Sequence, residues 1–141
     1  MGFLPSLDIS ASALTAQRMR MDIVSQNIAN ASTTRTENGG PYRRRVAVLS
    51  QQESVPFSSY YSQAIGNGVC VSAIVEDDSE FKIEYDPDHP DANGNGYVQM
   101  PNVDEVKEII DMISATRSYE ANVTALNATK SMAMKALEIG R

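Results

Sequence analysis

The chain has 141 residues, 42% of them hydrophobic and 21% charged, with a mean hydropathy of −0.30, no Trp and one Cys. This is the composition of one ordinary soluble domain; it excludes an internal disulfide, and no apolar run approaches the ~18 residues that span a bilayer, so direct membrane insertion is not expected. The net charge of −6 is uneven: residues 1–50 sum to +3, residues 51–105 to −10 and residues 106–141 to +1, which leaves nucleic acid no continuous basic face and favours contact between the ends of one copy and the middle of another.

Residues 6–31 are predicted to form a helix of roughly 40 Å. Leu7, Leu14, Met21 and Ile28 fall seven apart, with Val24 and Ala31 between them, as a packing seam requires. Ile9, Ala13, Ala16 and Ile23 form a smaller apolar line on another face. Asn27, Asn30, Ser32, Thr33 and Thr34 end the helix. Its start lacks the basic head, apolar centre and cleavage site of a secretory signal peptide, so export, if any, would use a dedicated route without cleavage.

Residues 34–100 change character. Glu37-Asn38-Gly39-Gly40-Pro41 reads as a turn. Tyr42–Leu49, Val69–Val75 and Phe81–Tyr85 read as strands, and together predict a three- or four-stranded antiparallel element on the helices. Arg43-Arg44-Arg45 points to both faces of a strand, which suits a solvated edge or an inter-subunit salt bridge. Residues 50–64 are polar and loop-like, and Gly66-Asn67-Gly68 is a turn with no helix or Lys to cradle a phosphate.

The second long helix is predicted over Asn102–Ile139, roughly 55 Å without Pro or Gly until Gly140. Asn102 is the expected N-cap, with Glu105 three residues on as in a capping box. Met112, Ala115, Tyr119, Val123, Leu126, Met134 and Leu137 make one apolar line. Ala121, Ala125, Ala128, Met132, Ala136 and Ile139 make another, a third of a turn or more away. One stripe needs one partner, so two stripes need two. The first lines of the two helices are expected to form an intramolecular antiparallel seam: Leu7, Leu14, Met21, Val24 and Ile28 against Met112, Tyr119, Val123, Leu126, Met134 and Leu137. The second lines are expected at subunit interfaces.

No catalytic, cofactor or metal constellation emerges. Asp91-Ala92-Asn93-Gly94-Asn95-Gly96 matches the start of a calcium-binding EF-hand loop, but the twelfth position, which needs a bidentate Glu, is Asn102. His89 is the only histidine, and with Cys70 it cannot furnish a zinc site or a triad. From the residues alone, a self-assembling subunit and a stand-alone coiled-coil adaptor both suit two-faced helices. An enzyme or calcium-binding protein comes behind both.

Three stretches resemble the flagellar rod and hook axial protein family. They are Leu7-Asp8-Ile9-Ser10-Ala11-Ser12-Ala13-Leu14 running on to Ser25-Gln26-Asn27-Ile28-Ala29-Asn30-Ala31-Ser32-Thr33-Thr34; Tyr85-Asp86-Pro87-Asp88-His89-Pro90-Asp91-Ala92 with Gly96-Tyr97-Val98; and Met100-Pro101-Asn102-Val103 leading to Arg117-Ser118-Tyr119-Glu120-Ala121-Asn122-Val123. The resemblance implies a non-catalytic subunit of the proximal rod, the torque-transmitting shaft crossing the periplasm. It implies export by the flagellar type III apparatus and polymerisation with further copies and with the rod proteins FlgB, FlgF, FlgG and FliE. It also implies an α+β organisation in which residues 1–33 with 101–141 form an inner helical domain and residues 34–100 an outer β-rich layer.

Overall fold

The computed structural model describes residues 3–37, 39–52 and 68–139, with side chains from residue 5 onward. Two long helices bracket two hairpins: α1 (Phe3–Ala29), β1 (Arg45–Gln51), β2 (Val69–Glu76), β3 (Lys82–Tyr85), β4 (Tyr97–Met100) and α2 (Glu105–Ile139). Most of the expected 50–64 loop, part of the Gly66-Asn67-Gly68 turn and the Gly140 stop lie outside the described residues. No helix among the described residues is long and apolar enough to cross a membrane.

The helix ends follow from local chemistry. At the end of α1, Asn30 turns both its backbone N–H and its side-chain amide onto the Gln26 carbonyl, and Thr33 closes onto Asn30. At the start of α2, the Asp104 carboxylate accepts the N–H groups of Val106 and Lys107 at 3.1 and 3.4 Å, which satisfies otherwise orphaned donors. The cap is therefore Asp104, not the expected Asn102. Asn102 is drawn elsewhere: it accepts the Arg44 N–H at 2.8 Å and donates to the Asp77 carbonyl at 2.9 Å and to Ser79 Oγ at 2.8 Å.

The β region is two antiparallel two-stranded sheets, β1–β2 and β3–β4, and not the single three- or four-stranded element expected. In the first, Val46 faces Val75 and Val48 faces Ala73, with an irregularity between Val48 and Leu49. Strand β1 starts at Arg45 instead of Tyr42 because Tyr42 turns inward, 8% exposed, and its N–H goes to the Thr33 carbonyl. In the second sheet Tyr85 faces Tyr97, their rings meeting edge to face at 5.2 Å. The intervening loop, site of the EF-hand-like stretch, is a tight turn system in which Asp91 accepts from Thr34 Oγ1 at 2.8 Å. Gly96 closes it at φ 79°, a left-handed conformation that disfavours a side chain; a Cβ there would sit 2.9 Å from the Tyr85 ring.

Helix α1 is the middle layer, with α2 on one side and β1–β2 on another. The hairpin approaches it closely at Gly68, where a Cβ would run into Ser12, and the adjacent Val69 N–H donates to Ser12 Oγ at 3.1 Å. The buried apolar core is small: Ala16, Ile23, Val24, Tyr42, Val98, Val103 and Ala115. Two polar side chains, Asn27 at 1% exposure and Glu108 at 0%, sit at its centre.

Candidate assembly surfaces and the junction that supports them

A buried charge must be paired, and Glu108 is paired twice. Its Oε1 accepts from Arg44 Nε at 2.6 Å and its Oε2 from Asn27 Nδ2 at 2.9 Å. The rest of Asn27 is equally occupied. Its Oδ1 accepts from the Tyr42 hydroxyl and from the Arg45 N–H, both at 3.0 Å, and Nδ2 also reaches the Arg45 carbonyl at 2.8 Å. Arg44 extends the network to Asp77 at 3.5 Å and Asp111 at 3.4 Å, and Arg20 reaches Asp111 at 3.2 Å. One polar knot thus ties the end of α1, the start of α2 and the start of β1.

Burial works against the Arg44 cation, but its hydrogen bond to Glu108 and the carboxylates of Glu108, Asp77 and Asp111 outweigh this and raise its pKa above the ordinary value. Burial raises the Tyr42 pKa above 10.0 despite the opposing Arg45 charge. Asp77 is lowered, first by the backbone hydrogen bond from Ser79. Arg44 and Arg45 therefore serve inside the chain, Arg45 reaching Glu76 at 3.6 Å. Arg43 stacks on the Phe81 ring at 4.4 Å. Arg44 is thus committed within the chain, which corrects the expectation for that residue, whereas Arg45 and Glu76, 46% and 55% exposed, form a solvated edge as expected.

From this knot the helices run antiparallel, with Thr116 Oγ1 3.5 Å from the Met21 sulfur. Of the residues assigned to the seam, Val24 is buried, and Leu7, Leu14, Met21, Ile28, Met112, Tyr119, Val123 and Leu126 are half-buried. Met134 and Leu137 are 56% and 76% exposed. The lengths explain the difference. Among the described residues α2 has 35 residues and α1 has 27, so the last eight residues of α2, about 12 Å, have no described α1 residue opposite them when the helices are aligned at the knot.

The second apolar lines part company. On α2, Ala121, Ala125, Ala128, Met132, Ala136 and Ile139 are all exposed. On α1, Ile9 is 36% exposed and Ala13 half-buried, but Ala16 and Ile23 are 2% and 3% exposed and offer no outer surface. The physical reason is the hairpin: Ile23 shares a crevice with Val46, Ala47 and Leu49, and Ser12, one turn before Ala16, holds β2. A second partner for α1 was expected in another subunit and is found inside the chain.

Sequence periodicity missed one surface. Val106, Ile109, Ile110 and Ile113 are 67%, 49%, 61% and 48% exposed. Their spacing of three, one and three is a helical stripe legible in the sequence. At about 100° per residue this stripe is centred roughly a quarter turn from the exposed alanine line, with Ile110 nearly in line with Ala121 and the polar Arg117 and Glu120 following it along the helix, so α2 carries two neighbouring apolar stripes on its exposed side.

The described residues hold no group of three or more His, Cys, Asp or Glu able to bind a metal. Comparison with known proteins agrees with a role in assembly. Residues 7–35 match the family model "Flagella basal body rod protein" and residues 95–139 match "Flagellar basal body rod FlgEFG protein C-terminal". The chain is 59% identical to the flagellar basal-body rod protein FlgC of Bacillus subtilis, covering 96% of this chain and 97% of that one. It is 46% identical to FlgC of Borreliella burgdorferi, covering 99% and 98%, and 42% identical to FlgC of Salmonella typhimurium over the whole of both. With matches this close over the full length, the chain belongs to the FlgC family of flagellar basal-body rod proteins and is a structural rod subunit, not an enzyme.

Proposed function

We propose that the chain enters the rod by burying the outer side of α2 against neighbouring subunits. Ala121, Ala125, Ala128, Met132, Ala136 and Ile139 would form the contact on α2, and Ile9 and Ala13 a smaller one on α1. The line from Leu7 to Ile28 holds α1 to α2 within the subunit. The observation that carries this reading is the exposed apolar line along α2, which nothing in the chain covers among the described residues. Stretches of alanine let helices approach closely, and the packing is then sensitive to added volume.

In this reading residues 1–33 and 101–141 form the inner helical layer, and residues 34–100 the outer one. The rod proteins FlgB, FlgF, FlgG and FliE would be neighbours, and the subunit would reach them through the flagellar type III export apparatus. The test is Ala125→Leu or Ala128→Leu in cells. Each should leave the subunit folded and abolish or sharply reduce rod assembly and motility. Normal rods in both variants would defeat the assignment, and a subunit that stops at a soluble dimer would favour a stand-alone adaptor.

A further inference from the structure

We infer that β3 is a docking edge, to which a partner protein adds an extended segment carrying a Lys or Arg between two apolar residues. The inference concerns the β3–β4 hairpin and is independent of the helix contact proposed above. It begins with the backbone groups the hairpin uses. The Asp86 N–H donates to the Gly96 carbonyl at 3.0 Å, and hydrogen-bonded and non-hydrogen-bonded pairs alternate along an antiparallel ladder. Glu84 therefore bonds Val98, and Lys82 bonds Met100. The intervening pairs, Ile83 with Gln99 and Tyr85 with Tyr97, turn their N–H and C=O groups outward. Tyr97 agrees, its carbonyl accepting the Asn93 N–H at 2.8 Å off the β4 edge. On β3, the outward groups of Ile83 and Tyr85 have no backbone partner among the described residues. The first hairpin is treated differently: the Asn27 amide takes both the N–H and the carbonyl of Arg45 on the β1 edge, at 3.0 and 2.8 Å. An edge left open is a template for another strand.

In such a contact the backbone supplies affinity, and side chains alternating to two faces supply the choice of partner. The outer face is apolar and uncovered, with Ile83, Tyr85 and Tyr97 at 70%, 64% and 47% exposure. The inner face belongs to Lys82 and Glu84, which line a cleft of about 300 Å³ between the hairpin and the start of α2. Its floor is Ala31, Met100 and Val103, and Glu84, Asp104 and Glu105 bring three carboxylates to it. Lys82, the one cation in its lining, is held on the Val103 carbonyl at 2.6 Å. An apolar floor beneath carboxylates suits a side chain with an apolar stem and a cationic head. The incoming strand thus turns its Lys or Arg inward and sets the residues on either side of it against Ile83 and Tyr85. A second copy of β3 does not fit, because Glu84 and Asp86 of the two strands would lie side by side, and like charges on paired strands destabilise.

The probe is the capped peptide Ser-Thr-Val-Lys-Val-Thr-Ser, added to the full chain and followed by residue-resolved amide hydrogen exchange. In the free subunit the Ile83 and Tyr85 amides should exchange faster than that of Glu84, which is in the ladder. Saturating peptide should slow both by about tenfold or more, and the same peptide with Glu in place of Lys should leave them unchanged. Ile83→Pro removes an outward N–H and no ladder bond, a position where an edge strand tolerates proline. It should keep the hairpin and abolish the protection of Tyr85 by the peptide. Glu84→Lys should weaken protection by the Lys peptide. Slow exchange of both amides before peptide is added would mean that the chain covers its own edge, which overturns the proposal. Fast exchange at about millimolar peptide, equal protection by both peptides, or full protection in Glu84→Lys also overturns it. If Ile83→Pro loses the hairpin, the comparison of the two peptides on the unaltered chain and on Glu84→Lys decides.

Discussion

The two ends of the helix pair are built on different principles. At the knot, α1, α2 and β1 meet through Glu108, Asn27, Arg44 and Tyr42, each polar group with a partner on another element. At the far end there is no such network among the described residues, and α2 runs on past α1 with Met134, Leu137 and Ile139 exposed. A subunit that must exist before it is assembled needs one region complete in itself. A subunit that must polymerise needs another that is incomplete. The chain places these at opposite ends of one helix, so the register set at the knot carries through to the surfaces offered to neighbours.

The largest expected effect breaks the complete end. Glu108→Ala leaves Arg44 Nε and Asn27 Nδ2 without their Glu108 partners, although Arg44 keeps Asp77 and Asp111, and each buried donor left unpaired destabilises by about 1–3 kcal/mol. Chemical denaturation of the isolated subunit should register that loss. Ala115→Leu, at a position with 0% exposure, should lose about 1–3 kcal/mol through overpacking. Leu137→Ala at the incomplete end should hardly change the unfolding midpoint yet impair rod assembly, since its side chain is 76% exposed. Equal destabilisation by Ala115→Leu and Leu137→Ala would erase the distinction between the ends.

A smaller effect concerns pH. The folded-state pKa of Tyr42 is raised, so its contribution to stability is complete below the ordinary value of 10.0 and is lost as pH rises through the folded value. Stability should therefore fall above about pH 10, and Tyr42→Phe should flatten that alkaline slope. Equilibrium unfolding as a function of pH reads both.

Helix existence, helix pairing and the exposure of the alanine line were legible because a 3.6-residue period survives in a single sequence. What escaped depends on polar side chains choosing among distant partners. Asn102 has every local mark of an N-cap, yet it bonds to Arg44, Asp77 and Ser79, and Asp104 takes its place. The arginine run looked like surface until Glu108 and Asp111 from another element gave Arg44 its partners. Likewise, the burial of Ala16 and Ile23 depends on where the β1–β2 hairpin folds back, which no periodicity within α1 reports. Two short hairpins also carry less pattern than one sheet, and β4, four residues long, was not distinguished from the loop before it.

Amide hydrogen exchange along α2 in the dilute, unassembled subunit tests the central claim most directly. Local stability follows local packing. Amides over residues 108–120 should be strongly protected by the knot and the seam, and amides over residues 130–139 should exchange rapidly until assembly covers them. Strong, uniform protection from residue 108 to residue 139 in the monomer would contradict the account, because the far end would then be complete without a neighbour.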